Sequence, residues 1–139
     1  MRAGSRPLQT ELIFPVRTYD IDFAGLLSNI VYIRWLEDLR VRMLEVHHPL
    51  EPMLARGEGP VLARTEIDYL RPVRFGARVR GVMWISGCRR ARFDLEAVFD
   101  LDDEPVARAR QQGYFVNYGK MKILPVPQEL LSKIRGQTM

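Results

Sequence analysis

Cysteine is almost missing from this chain: among 139 residues there is one, Cys88. A single thiol cannot close an internal bridge or build a metal site alone, so a reducing compartment fits best. Histidine is nearly as scarce. His47 and His48 are adjacent rather than spaced as a zinc-binding pair, and no acid–cysteine set accompanies them, so neither a metal nor another cofactor is expected. At a helix end their partial positive charge is favourable, which is the plain reading of the pair. No run of about 20 apolar residues occurs, which excludes a membrane-spanning helix from expectation. The opening MRAGSRPLQTELIFPVR carries basic residues but lacks the apolar stretch of a secretory signal, and the expected location is cytoplasmic. Lysine is rare: three stand against 18 arginines.

What remains is the composition of an ordinary globular protein, of a length that fits one domain over residues 1–139. At this size folding buries roughly two-thirds of the extended chain's surface, so no disulfide is needed for stability. The net charge is +4, and the basic residues cluster: Arg89, Arg90 and Arg92 in one short segment, Arg108 and Arg110 in another. Such a surface suits a phosphorylated small molecule, an anionic membrane or nucleic acid. Nucleic acid is disfavoured, because no aromatic residues interleave with the arginines as stacking platforms and no recognisable motif is present.

Along the chain, Leu12 to Val16 reads as an opening strand, followed by a bend at Gly25. From about Asn29 to Val46 the periodicity becomes helical, with Tyr32, Leu36, Leu39, Met43 and Val46 forming one apolar stripe. Ser28 stands where an N-cap belongs. The helix is about 27 Å long at 1.5 Å per residue, enough to lie across a sheet. His47-His48-Pro49 ends it. A short helical turn is expected around Met53 to Arg56. Four strands are expected next, near Val61–Leu70, Ala77–Ser86, Ala91–Phe99 and Val106–Asn117, separated by turn signals and arranged as a meander. A short helix over Glu129–Ile134 follows Pro125 and Pro127. The class is α+β: a five-stranded curved antiparallel sheet wrapped around one long helix at about 29–46. One helix covers only one face of such a sheet, which leaves another face or an edge for a second subunit.

The chemistry gathers at Asp20-Ile21-Asp22-Phe23-Ala24-Gly25-Leu26-Leu27-Ser28-Asn29. A carboxylate lies a few residues before a helix start, whose free N–H groups can donate to a carbonyl oxygen gaining negative charge. The carboxylate can then attack that carbonyl or activate a water. Gly25 allows close backbone approach. The plainer reading is that Asp20 and Asp22 only stabilise a turn and the helix start.

The run Asp20 to Gly25, with Asn29, Tyr32 and Arg34-Trp35-Leu36-Glu37, resembles the 4-hydroxybenzoyl-CoA thioesterase family and its relatives, which share the hot-dog fold. The similarity spans about Phe14 to Tyr118 and includes Tyr69-Leu70-Arg71-Pro72, similar to the family's "tyrosine, x, x, proline" entry to the next strand. The resemblance implies hydrolysis of an acyl-CoA, or an acyl carrier protein thioester, to a free acid and a thiol. It implies Asp22 as the catalytic carboxylate and the Asn29 N–H as the thioester carbonyl donor. Gly25 and Tyr32 would flank the substrate, and Arg89 and Arg90, with Arg92, would hold CoA phosphates. At the position after the arginine pair, members often carry a lysine, and here Ala91 precedes Arg92. Leu27-Ser28-Asn29 is nearer the family's "Val-Asn-Asn" form than its "Val-Tyr-His-Ala" form. A homodimer or homotetramer is implied as well. The alternatives are a non-catalytic acyl-CoA binder, serving as sensor or accessory subunit, and a hot-dog dehydratase, which would need a histidine that the helix-end pair does not supply. Glu37 reads as an ion-pair partner of Arg34 and Arg40, Tyr32 and Trp35 as helix packing residues, and Cys88 as incidental.

Overall fold

A computed structural model describes residues 6–138. Its elements in chain order are β1 (Thr10–Pro15), a 3-10 turn (Thr18–Asp20), α1 (Val31–His47), α2 (Glu51–Ala55), β2 (Glu58–Tyr69), β3 (Arg78–Arg89), β4 (Arg92–Leu101), β5 (Glu104–Asn117), β6 (Lys122–Leu124) and α3 (Gln128–Thr138). The strands form one antiparallel sheet in the order β1-β3-β4-β5-β2, with β6 paired to β5 beyond the end of β4.

The sheet curls around α1 because alternate residues on each strand face the helix. On β4 these are Phe93, Leu95, Ala97 and Phe99, all buried, as the alternation in the sequence requires. From α1 come Val31, Tyr32, Trp35, Leu36, Leu39 and Met43. Trp35 stacks on Phe14 of β1 at 4.7 Å between ring centroids, and Tyr32 meets Phe99 edge-on at 5.1 Å. Val126, Leu130 and Ile134 add α3 to the same core.

Three expectations need correction. The sheet has six strands rather than five, since Lys122–Leu124 pairs with Phe115–Asn117. The last four long strands are not a simple meander: only β3, β4 and β5 are, while β2 lies on the far edge against β5. The 70–77 connection therefore crosses one end of the sheet, and local turn signals carry no record of such a non-local pairing. Ser28 is not the cap of α1. The helix starts at Val31 after Ile30, which has no side-chain cap, and Ser28 instead gives its carbonyl to the Val31 N–H at 3.0 Å.

Both tight hairpin turns use left-handed backbone. Asp102 and Asp103 both have positive φ, 53° and 64°, as a two-residue hairpin loop matched to strand twist demands. Arg90, at the β3–β4 turn, has φ of 49°.

Candidate active site

The segment between β1 and α1 folds back on itself. Ile21 and Leu27 form an isolated antiparallel bridge, and the Asp22 N–H donates to the Leu26 carbonyl at 2.7 Å. Gly25, with φ of 75°, makes the reversal. A Cβ at this position would meet no atom within 4 Å, so it is the dihedral rather than crowding that calls for glycine. The small hairpin is braced by the crossover from β2: the Leu27 N–H donates to the Val73 carbonyl at 2.7 Å, and Leu26 bridges to Arg74.

The two aspartates of this segment divide the roles that the sequence left open between them. Asp20 is buried at 5% exposure; it accepts the Arg17 N–H at 2.8 Å and lies 3.6 Å from the Arg34 guanidinium. Asp20 therefore holds the turn. Asp22 is exposed in the single chain, not enclosed. Its Oδ1 accepts the N–H groups of Ala24 at 2.8 Å and Leu26 at 3.2 Å. Those bonds orient the carboxylate, while among the described residues Oδ2 has no hydrogen-bond partner.

Asp22 and Asn29 line one cavity of about 200 Å³, together with Leu26, Leu27, Tyr32 and the stretch Tyr69 to Val73. Asn29 stands in the turn just before α1. Among the described residues the Asn29 and Ile30 N–H groups have no acceptor, so the start of α1 offers two free donors beside a fixed carboxylate. The Asn29 carbonyl accepts from the Tyr69 hydroxyl at 3.2 Å. Tyr32 is buried at 3% exposure, and burial first, then the neighbouring Tyr69, pushes its phenol up to about 12. It stays a neutral donor at any physiological pH.

Tyr69 escaped the sequence reading, which gave its motif only a strand-entry role. Its place in the period-two series Thr65, Ile67, Tyr69 was the available signal for a side chain on the helix face of β2.

The arginines stand elsewhere. Arg89 and Arg92 face each other across the β3–β4 turn, with Arg90 at its tip. Asp22 is at the opposite end of the sheet, where Leu101 and Glu104 lie; the ten residues of β4 separate the two ends by about 30 Å. One chain does not bring them together. Nor are the three equivalent. Arg92 is only partly exposed and lies 3.3 Å from Asp94, whereas Arg89 and Arg90 are exposed and, among the described residues, unpaired. Arg92 is thus paired within its own strand, unlike the other two arginines of the expected phosphate clamp.

The remaining candidates take their plain readings. Glu37 is exposed and lies 3.8 Å from Arg40, but Arg34 turns to Asp20 instead. His47 closes α1 and His48 follows as its buried C-cap residue. Burial raises the Cys88 thiol, which does not favour a reactive thiolate.

A curled antiparallel sheet wrapped around one long helix defines the hot-dog architecture. Residues 16–134 match the model of the thioesterase-like superfamily, and the chain belongs to that family. Among solved structures, a 1,4-dihydroxy-2-naphthoyl-CoA thioesterase from Synechocystis superposes with a TM-score of 0.83 at 19% identity, covering 94% of this chain and 98% of that one. A gentisyl-coenzyme A thioesterase gives 0.80 at 19% identity, over 89% of this chain and 98% of that one. A Staphylococcus aureus protein solved in complex with CoA gives 0.85 at 13% identity, over 99% of this chain and 87% of that one. At these identities the likeness speaks for the fold. Among the described residues no helix is long and apolar enough to cross a membrane.

Proposed function

We propose that this protein hydrolyses an acyl-CoA thioester, with Asp22 as the catalytic carboxylate. The observation that carries the reading is one cavity lined by both Asp22 and Asn29, whose backbone N–H is unengaged at the start of α1. The thioester carbonyl sits against the Asn29 N–H, where a developing oxyanion is stabilised by a donor that needs no reorganisation. Oδ2 of Asp22 either attacks the carbonyl carbon, expelling the CoA thiolate and leaving a mixed anhydride for water to cleave, or removes a proton from the attacking water. Both routes give a free acid and CoA. Tyr32, held neutral, lines the acyl side of the cavity.

A second copy of the chain completes the site in this reading. β2 is a twelve-residue strand at the sheet edge, and Phe23, Ile30 and Ile33 beside the cavity are exposed. Antiparallel pairing of two β2 edges sets the Asp22 end of one sheet against the arginine end of the other. Arg89 and Arg90 of one chain then reach the phosphates of a CoA whose thioester lies at Asp22 of its partner; their planar forks suit phosphate oxygens. The neighbour solved with CoA, and those acting on CoA esters of aromatic acids, support a CoA-type substrate.

The test is a thiol-release assay of the purified protein on a panel of aromatic and aliphatic acyl-CoAs, beside Asp22→Asn. Hydrolysis that the variant loses supports the reading. Hydrolysis that survives at a near-wild-type rate removes Asp22 from the mechanism. Tight binding of CoA esters without cleavage of any, including acyl carrier protein thioesters, makes the chain a binder.

A further inference from the structure

The β3–β4 turn has a neighbour at its end of the sheet. β5 runs past it into a turn at 118–121, and β6 then carries the chain back until the Val126 N–H donates to the Arg90 carbonyl at 2.8 Å. Residues Tyr118 to Ile123 are all exposed, and Met121 and Ile123 keep 75% and 61% of their surface in solvent. Lys120 and Lys122 alternate with them. The chain has three lysines against 18 arginines, so two of the three stand at this one turn.

The turn is held in place rather than loose. The Tyr118 N–H donates to the Gly57 carbonyl at 2.8 Å and its hydroxyl to the Pro60 carbonyl at 2.9 Å, while the Asn117 side chain accepts the Lys120 N–H at 2.9 Å. Exposure of Met121 is therefore a property of the fold. Its φ of 52° is left-handed, a conformation that glycine or asparagine takes at less cost, so nothing local calls for methionine there. The cations around it are uncompensated. Among the described residues Lys120, Lys122, Arg89 and Arg90 have no acidic partner, and the acids on the adjoining strand ends, Glu58 and Asp94, are engaged by Arg56 and Arg92.

We infer that this turn docks the protein on an anionic membrane surface, with Met121 and Ile123 entering the headgroup layer and Lys120 and Lys122 meeting lipid phosphates beside them. Apolar side chains leaving water and cations near a negative surface each favour such binding. Lysine suits the place, because its apolar stem can follow Met121 into the interface while the ammonium stays among the headgroups. Arg89 and Arg90 extend the positive field at the same end. Six consecutive exposed residues on one tight turn offer an acidic protein little area to bury, whereas a fluid lipid surface closes around a small protrusion. The inference goes beyond the hydrolase reading and does not need it, since vesicle binding reads the turn whether or not the chain turns over thioesters.

Vesicle flotation of the intact chain decides the matter, with vesicles of phosphatidylcholine alone beside vesicles in which about one third of the lipid is phosphatidylglycerol. The chain is expected to bind the anionic vesicles roughly tenfold or more tightly than the neutral ones. Met121→Asn with Ile123→Thr, residues suited to a left-handed turn and to a strand, should weaken that binding by roughly tenfold or more, and so should Lys120→Gln with Lys122→Gln. All four side chains are exposed, so the melting temperature should stay at the wild-type value and the variants report on docking rather than on folding. No binding, or equal binding to neutral and anionic vesicles, overturns the inference on the wild-type protein alone. Loss in only one of the two variant pairs overturns the joint role of apolar and basic residues, and unchanged binding in both overturns the turn as the site. Binding of an acidic acyl carrier protein through the same residues, with none to vesicles, overturns the membrane in favour of a protein partner.

Discussion

The Tyr69 hydroxyl donates to the Asn29 carbonyl at 3.2 Å, tying the end of β2 to the turn from which α1 begins. That bond anchors Asn29, whose own N–H is the donor proposed for the thioester carbonyl, to a second residue lining the Asp22 cavity. Tyr69→Phe is expected to lower kcat by roughly tenfold while KM moves little, because a donor aimed at developing charge acts mainly in the transition state. The cost to stability should be small, at about 0.5–1.5 kcal/mol for one partly exposed hydrogen bond. Steady-state kinetics beside a thermal melt separates the two effects. An unchanged kcat would mean that Asn29 holds its orientation without Tyr69.

Asp20 and Asp22, two residues apart, should fail differently. Asp20→Ala removes a buried acceptor from the Arg17 N–H and the partner of Arg34, and should cost about 1–3 kcal/mol, several degrees in Tm. Asp22→Asn keeps an amide oxygen for the Ala24 and Leu26 N–H groups, so its melt should match the wild type while turnover falls by about 10²-fold or more. A large loss of Tm in Asp22→Asn would turn the residue into a structural one.

Stability should fall on mild acidification. Burial, then the nearby Lys133, lowers the proton affinity of His47; burial does the same for His48, where Glu129 opposes and Lys133 reinforces the shift. The unfolded chain takes up protons at the ordinary imidazole pKa of about 6.5, and the folded chain only at lower pH. Between those points the unfolded state binds more protons, so stability is lost as pH falls from about 6.5 and levels off below the folded-state values. Melts at pH 7.5, 6.5 and 5.5 should show this decline, and His48→Leu should flatten it. A variant with the wild-type slope would clear His48 of the effect.

Much of this was legible in the chain. The stripe of Tyr32, Leu36, Leu39 and Met43 gave α1, and the alternation of Phe93, Leu95, Ala97 and Phe99 gave β4, because both periods are local properties. The pairing of β2 with β5 was not legible: the residues that pair, such as Thr65 and Gln111, are 46 apart, and nothing between them marks the partner. Asp22 and Asn29 were found together because only six residues lie between them. Tyr69 reaches the same cavity only through that distant pairing. The inward aim of Arg40 likewise depends on Gln111 and was invisible along the helix, where only its ion pair with Glu37 could be read.

The separation of Asp22 from Arg89 and Arg90 by the length of β4 leads to a test of the second copy. If each site takes its carboxylate from one chain and its arginines from the other, two inactive variants can repair each other. In a mixed dimer of Asp22→Asn with the Arg89→Ala, Arg90→Ala double variant, one site carries both lesions and the other carries none. Random mixing gives half mixed dimers, each with one intact site, so about a quarter of the wild-type rate should return at low substrate. Were carboxylate and arginines to serve the same substrate from one chain, every site in the mixed dimer would carry one lesion and nothing would be regained. Co-refolding the two variants and assaying thiol release below KM reads the difference. Arg92→Ala in place of the double variant should give a partner that was never impaired in CoA binding, because Asp94 already engages that guanidinium.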